Sequence, residues 1–265
     1  MSSQPEPSLH TGARDLAEEA GAALLHLRAR LPTEGVEGRE MKDAGDRASQ
    51  EVLAAALARL HPGDAVLSEE APDDPVRLSA ERVWIVDPLD GTREFGEPPR
   101  DDWAVHVAVW EGGELVAGAV ALPARGLTHA TGPLATSVPD RRPGPLRLAV
   151  SRSRPPAFVV DLAERLQAEL VPMGSAGVKA MAVVDGTVDG YVHAGGQFEW
   201  DSAAPVAVAR AHGLHTSRVD GSALRYNAPD PWLPDLVVCR PEVAELLLTT
   251  IAAMPDVTGT ATAGA

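Results

Sequence analysis

Apolar residues recur at helical spacing over residues 15–31, where Leu16, Ala20, Leu24 and Leu27 share one face. They do so again over residues 46–60, through Val52, Leu53, Ala56, Leu57 and Leu60. Both segments read as amphipathic helices. The pattern then switches to short apolar runs at 65–67 and 83–86, each followed by acidic residues, which read as buried strands. Residues 103–110 and 115–122 flank Glu111-Gly112-Gly113-Glu114, a hairpin signature. Beyond a Pro/Gly-rich stretch at 136–145, strands at 146–150, 189–193 and 236–239 alternate with helices at 156–170, 175–184, 202–212 and 242–254. That stretch is the expected boundary between an N-terminal α+β lobe (11–140) and a C-terminal α/β lobe (141–255) packed on it. Residues 1–10 and 256–265 read as flexible tails.

Composition narrows the function. A chain of 265 residues with 45% hydrophobic and 23% charged positions has ample material for a large core. The formal net charge of −15 argues against nucleic acid or an anionic membrane as the main partner. It leaves room for a small anionic substrate, because bound cations reverse the sign locally. The single cysteine, Cys239, excludes an internal disulfide framework and a cysteine-based zinc site, and reads as a core residue. The eight histidines show no metal-ligand spacing and read mostly as packing or surface groups. Met1 to His10 has no basic start and no apolar core, so it is not expected to be a secretory signal, and no apolar run approaches the roughly 18–20 residues that cross a bilayer. A cytoplasmic protein is expected, as a monomer or homodimer.

The chemistry concentrates in Trp84-Ile85-Val86-Asp87-Pro88-Leu89-Asp90-Gly91-Thr92. An apolar strand runs into a turn set by Pro88 and Gly91, which directs Asp87, Asp90 and the Leu89 carbonyl toward one place. Oxygen-only donors on a tight turn suit a hard cation such as Mg²⁺. The backbone N–H groups of Gly91 and Thr92 add an anion site beside it. Other carboxylates stand at element ends: Glu69 and Glu70 after the strand at 65–67, Asp201 before the helix at 202–212, and Asp46 at the start of the second helix. Taken singly, each also fits a solvated surface group or a helix N-cap. Glu69 and Asp87 both close apolar strands, as neighbours in one sheet would, and α/β folds place their sites at such edges. Four carboxylates meeting there would repel by roughly 4 kcal/mol per pair at 4 Å and an effective dielectric near 20, so the cluster calls for cations.

The W-I-V-D-P-L-D-G-T segment, the upstream S-E-E (68–70) and the downstream E-W-D-S-A-A-P (199–205) resemble the three signatures of the inositol monophosphatase superfamily, in order and spacing, over about residues 15–254. V-L-S-E-E at 66–70, D-G-T-R-E-F at 90–95, S-R-S at 151–153 and S-A-G-V-K at 175–179 resemble its CysQ-like branch of bacterial 3′(2′),5′-bisphosphate nucleotidases. The resemblance implies a layered αβαβα sandwich and a Mg²⁺-dependent, lithium-sensitive phosphomonoesterase with two or three Mg²⁺ per site. It places one ion on Glu69, Asp87 and the Leu89 carbonyl, and the second on Asp87, Asp90 and Asp201. Asp46 and Thr92 then orient the attacking water, and Glu70 supports a further, weaker ion through water. Gly91 and Thr92 hold phosphoryl oxygens, His193 contacts the substrate ring, and Arg152, Arg154 and Lys179 are candidates for a second phosphate. Trp84 and Trp200 are expected to brace the metal-binding loops.

Two positions depart from the pattern. Asp43 stands where the family usually has threonine, and Arg154 stands where CysQ-like proteins often have histidine. The implied substrate is 3′-phosphoadenosine 5′-phosphate; inositol monophosphate and fructose 1,6-bisphosphate are alternatives under the same chemistry. A protein that binds metal or nucleotide without catalysis is the competing class, and the presence of Asp46, Thr92 and Asp201 speaks against it.

Overall fold

A computed structural model describes residues 8–133, 135 and 137–254. The two leading helices are longer than their apolar periodicity. Helix α1 (Leu9–Arg30) starts six residues early because Ser8 caps it, its hydroxyl accepting the Thr11 N–H at 3.3 Å. Ser8, Leu9 and His10 therefore belong to the fold and not to a tail, and His10 Nδ1 lies 2.8 Å from Thr131 Oγ1. The rest of both expected tails, 1–7 and 256–265, lies outside the described residues. Helix α2 (Gly38–Leu60) begins eight residues before Asp46. Its first half buries only Met41, Gly45 and Ser49, too small a face to register as an apolar stripe, so Asp46 sits inside the helix instead of opening it.

Strand β1 (Ala65–Ser68) pairs in parallel with β2 (Arg82–Asp90), and β3 (Ala104–Glu111) and β4 (Glu114–Leu122) form the expected hairpin. A short edge strand, β5 (Leu127–Ala130), completes a sheet of order β1-β2-β3-β4-β5. The second sheet has order β7-β6-β8-β10-β9, built from β6 (Arg147–Ser151), β7 (Glu169–Met173), β8 (Gly190–Phe198), β9 (His215–Ser217) and β10 (Trp232–Cys239). The segment at 136–145 runs between the two sheets, its first residue outside the described set.

Helix α4 (Ala157–Leu166) is shorter than the apolar spacing suggests. Gln167 turns left-handed at φ 50°, the Ala168 N–H closes on Ala163 O at 2.8 Å, and Leu170 leaves the helix to pair with Leu148 as part of β7. Helices α5 (Ala176–Val184), α6 (Glu199–Ala211) and α7 (Pro241–Ala252) fall close to expectation. The layers are α1 and α2, the first sheet, α5 and α6, the second sheet, then α4 and α7: an αβαβα sandwich. The largest apolar cluster joins Ile85 and Val120 of the first sheet to Leu236 and Val238 of the second through Val178, Met181 and Val206 of the middle helices. Burial of that continuous surface, at about 25 cal/mol per Å², locks the two halves together and fixes the edge where the acidic residues meet. Among the described residues no helix is long and apolar enough to cross a membrane.

Candidate active site

Parallel pairing of β1 with β2, Ser68 beside Val86, brings Glu69 and Asp87 to the same sheet edge. Strand β2 then bulges against β3 between Asp87 and Asp90. The bulge is held by the Ser49 hydroxyl, which donates to Pro88 O at 2.6 Å, and by the Leu89 N–H, which donates to Asp87 Oδ1 at 3.0 Å. Gly91 follows at φ 88°, where a side chain would be strained and would press on Ser175 and Trp103. It leads into the single turn α3 (Thr92–Phe95). Arg28 of α1 secures that turn by donating to Glu94 O (3.0 Å), Phe95 O (2.8 Å) and Arg100 O (2.6 Å). Asp201, in the first turn of α6, reaches back to accept the Phe198 N–H at 2.6 Å. Asp87, Asp90 and Asp201 each offer an oxygen within 4.8 Å of the others.

The electrostatics of this cluster are divided. Burial first, then Glu69, Asp90 and Asp201, hold the Asp87 carboxyl well above its ordinary range. Partial burial and Asp201 push Glu69, at the rim, up to about 7, and burial and Asp90 push Asp201 up to about 6. Asp90 goes the other way. Burial opposes its charge, yet His106, Ser175 and Lys179 hold it below the usual carboxylate range. Its Oδ2 accepts from Ser175 Oγ (2.5 Å) and Gly177 N (2.6 Å) and lies 3.1 Å from His106 Nε2, while Oδ1 accepts from Ala176 N (3.0 Å). Carboxylates crowded until some retain their protons are a donor set suited to a hard divalent cation, which would relieve the repulsion.

Beside the cluster, Thr92 Oγ1 lies 3.2 Å from Asp46 Oδ1 and 3.1 Å from Leu89 O. Burial and the neighbouring Glu70 raise Asp46 to about 6. Asp46, Glu70 and the departing residue Asp43 share a small acidic recess with Gln50. The expected grouping of Asp46, Glu70 and Thr92 is thus present in space.

A cleft of about 840 Å³ opens from the carboxylates. Gly91, Thr92, Arg154, Lys179 and His193 line it, as the sequence suggests. Lys179 is nearly buried, with Nζ donating to Gly174 O (2.6 Å) and Ser175 O (2.7 Å), which leaves one proton of the ammonium for a ligand. Burial lowers the His193 pKa, and its Nε2 lies 3.0 Å from Gly196 O. Arg152 is placed differently from expectation. It does not line the cleft; it pairs with Glu94 (2.7 Å) and Glu97 (2.6 Å), tying the end of β6 to α3. Trp84 does not brace the metal-binding turn either: it points into the α1/α2 layer, its ring tilted 36° against His61 at 4.6 Å and its Nε1 donating to Asp64 at 2.8 Å. Trp200 does brace the cluster, through its carbonyl, 3.1 Å from His106 Nδ1.

Sequence reasoning missed His106, Ser175 and an aromatic ledge at the cleft mouth. His106 is a lone polar residue in the apolar strand Ala-Val-His-Val-Ala-Val, opposite Asp87 in register, and that is a readable signal. The ledge comprises Phe198, stacked on Trp200 (centroids 4.6 Å, planes 12° apart), and Trp232, edge-on to Phe198 at 5.3 Å. Phe198 and Trp232 remain 39% and 38% exposed, and both line the cleft. Cys239 is buried at the end of β10, beside Gly190 of β8, its thiol pushed up to about 12 by burial.

A five-layer sandwich that gathers oxygen-only donors at the meeting edge of its sheets defines a class of metal-dependent proteins. The chain belongs to the inositol monophosphatase family, whose family model matches residues 8–254. It is 53% identical over 241 residues to a 3′-phosphoadenosine 5′-phosphate phosphatase of Mycobacterium bovis, covering 88% of this chain and 90% of that one. It is 31% identical over 202 residues to the 3′(2′),5′-bisphosphate nucleotidase CysQ of Escherichia coli, covering 72% and 81%. The crystal structure of CysQ from Bacteroides thetaiotaomicron superposes with a TM-score of 0.73 at 26% identity, covering 88% of this chain and 97% of that one.

Proposed function

We propose that this protein is a Mg²⁺-dependent phosphomonoesterase that removes the 3′-phosphate of 3′-phosphoadenosine 5′-phosphate, giving adenosine 5′-phosphate and inorganic phosphate. The observation that carries the reading is that one cleft joins the carboxylate cluster and the phosphate-binding turn to an exposed aromatic ledge. A nucleobase has a face to stack on Phe198 or Trp232, and an inositol ring has none. The 53% identity to proteins named for this activity supports it.

Bound to Glu69, Asp87, the Leu89 carbonyl, Asp90 and Asp201, two or three Mg²⁺ ions would supply Lewis acidity toward the phosphoryl oxygens, the leaving oxygen and water. The protein's own groups do the rest. Thr92, hydrogen-bonded to Asp46, accepts from the attacking water and passes its proton to the carboxylate. Glu70, across the recess from Asp46, raises the basicity of that acceptor. The N–H groups of Gly91 and Thr92, at the start of α3, orient the phosphoryl group. Water oxygen forms the new bond to phosphorus as the bond to the ribose 3′-oxygen breaks, and solvent protonates the departing oxygen. Arg154, the third proton of Lys179 and His193 face the remainder of the substrate. No protein nucleophile is used, and buried Cys239 stands apart from the cleft.

The test is kcat/KM with Mg²⁺ on 3′-phosphoadenosine 5′-phosphate, inositol 1-phosphate and fructose 1,6-bisphosphate. At least tenfold preference for the nucleotide is expected. Equal or better turnover of inositol 1-phosphate would reject the substrate assignment.

A further inference from the structure

His106 lies in the middle of β3 with its side chain fully buried, flanked along the strand by Val105 and Val107 and facing the carboxylate cluster. Its two ring nitrogens reach different parts of the molecule. Nδ1 is 3.1 Å from the Trp200 carbonyl, which can only accept, so Nδ1 carries a proton. Nε2 is 3.1 Å from Asp90 Oδ2. Asp90 closes β2 in the first sheet; Trp200 directly precedes Asp201 in α6 of the middle layer. One rigid imidazole therefore spans the two chain segments that deliver the Asp90 and Asp201 carboxylates.

Its contacts on Asp90 are one-sided. His106, Ser175 Oγ and Gly177 N all converge on Oδ2, whereas Oδ1 takes only the Ala176 N–H. Two donors, Ser175 Oγ and Gly177 N, fill the lone pairs of Oδ2 and fix the plane of the carboxylate, with the His106 ring 3.1 Å from the same oxygen, so Oδ1 is the oxygen with lone-pair capacity left. Gly177 is part of the same seat, because a Cβ there would overlap His106 Nε2. The first turn of α5, the end of β2 and the start of α6 are all keyed to this ring.

We propose that His106 is a positioning residue for the carboxylate cluster, fixing Asp90 relative to Asp201 and presenting Asp90 Oδ1 to a divalent cation. The inference rests on the reading of this cluster as a metal site. Partners that orient metal-binding carboxylates contribute about 10–100-fold to metal affinity when removed. Two kinds of variant displace the ring contacts by different routes. His106→Asn keeps a polar group in the strand but is too short to hold both partners, and Gly177→Ala keeps the histidine while pushing it from Asp90.

The experiment is Mn²⁺ binding by electron paramagnetic resonance titration without substrate, on variants whose near-ultraviolet circular dichroism matches the native protein. Both variants should bind Mn²⁺ about 10–100-fold more weakly. In turnover assays, kcat measured at low Mg²⁺ should fall and recover as Mg²⁺ is raised, with KM for the nucleotide at saturating Mg²⁺ within about twofold of native. Folded variants with native Mn²⁺ affinity would overturn the proposal, as would a kcat loss that added Mg²⁺ does not restore. Because the titration needs no substrate, native protein that binds Mn²⁺ but leaves the nucleotide intact would reject the substrate reading alone.

Discussion

Asp87 and Asp90 stand three residues apart, yet the structure gives them opposite roles in stability, and Asp→Asn substitutions should separate these. Asp90 accepts from Ser175 Oγ, Ala176 N and Gly177 N at the start of α5 and faces His106. Asparagine keeps one oxygen but turns an NH₂ toward a backbone N–H. At least one hydrogen bond to a charged acceptor is lost, about 1.5–3 kcal/mol, together with the helix-terminus interaction, about 0.3–1 kcal/mol. Asp90→Asn should therefore destabilise the metal-free protein by about 2–4 kcal/mol. Asp87 has one donor, Leu89 N–H, which an asparagine oxygen retains, and it faces Glu69, Asp90 and Asp201. Removing its charge relieves repulsion that reaches about 4 kcal/mol per pair before proton uptake softens it, so Asp87→Asn should stabilise the metal-free protein by about 1–2 kcal/mol at pH 8. Urea unfolding in EDTA at pH 8 measures both. Equal destabilisation by the two substitutions, or a larger loss for Asp87→Asn, would refute this division of the cluster. Both variants should lose phosphatase activity.

Three further outcomes follow from the same geometry. Protons compete with cations for Glu69, raised to about 7, and Asp201, raised to about 6. A raised carboxyl favours the metal-free fold at low pH and loses that contribution as pH climbs through its folded value, so the gain in Tm on adding Mg²⁺ should widen from pH 5.5 to 8. A gain that is constant across this range in differential scanning fluorimetry would count against carboxylate ligation. Trp232→Ala should raise KM for 3′-phosphoadenosine 5′-phosphate about tenfold, in line with ~1–3 kcal/mol for a stacked base, without altering KM for inositol 1-phosphate; parallel changes in steady-state assays would remove the ledge from base recognition. Cys239, buried and with its thiol pushed up to about 12, should resist a disulfide reagent in the native state and react only on unfolding, so labelling within minutes at pH 8 would contradict its placement.

The centre of the site was legible because its residues lie where chain geometry is simplest. Two parallel neighbouring strands in register at Ser68 and Val86 must bring the next residues, Glu69 and Asp87, to one edge, and a bulge closed by Gly91 must turn Asp90 inward. What was misread depends on packing across distance. Asp46 reads as a helix start because aspartate is a good N-cap, while the two turns before it bury only Met41 and Gly45, too few apolar positions to show a stripe. Leu170 continued an apolar spacing that left-handed Gln167 had already ended. Arg152 carries a charge suited to phosphate, but Glu94 and Glu97, more than fifty positions away, claim it first. The aromatic ledge joins Phe198 to Trp232 across the β8–β10 pairing, a contact that no local pattern encodes.

Metal-dependent hydrolysis of the 3′-phosphate is tested most directly by product analysis with EDTA-stripped protein titrated with Mg²⁺. No phosphate should be released from 3′-phosphoadenosine 5′-phosphate before metal is added. Mg²⁺ should restore release saturably, with adenosine 5′-phosphate as the sole nucleotide product. Release that persists in EDTA, or adenosine 3′-phosphate as the product, would contradict it.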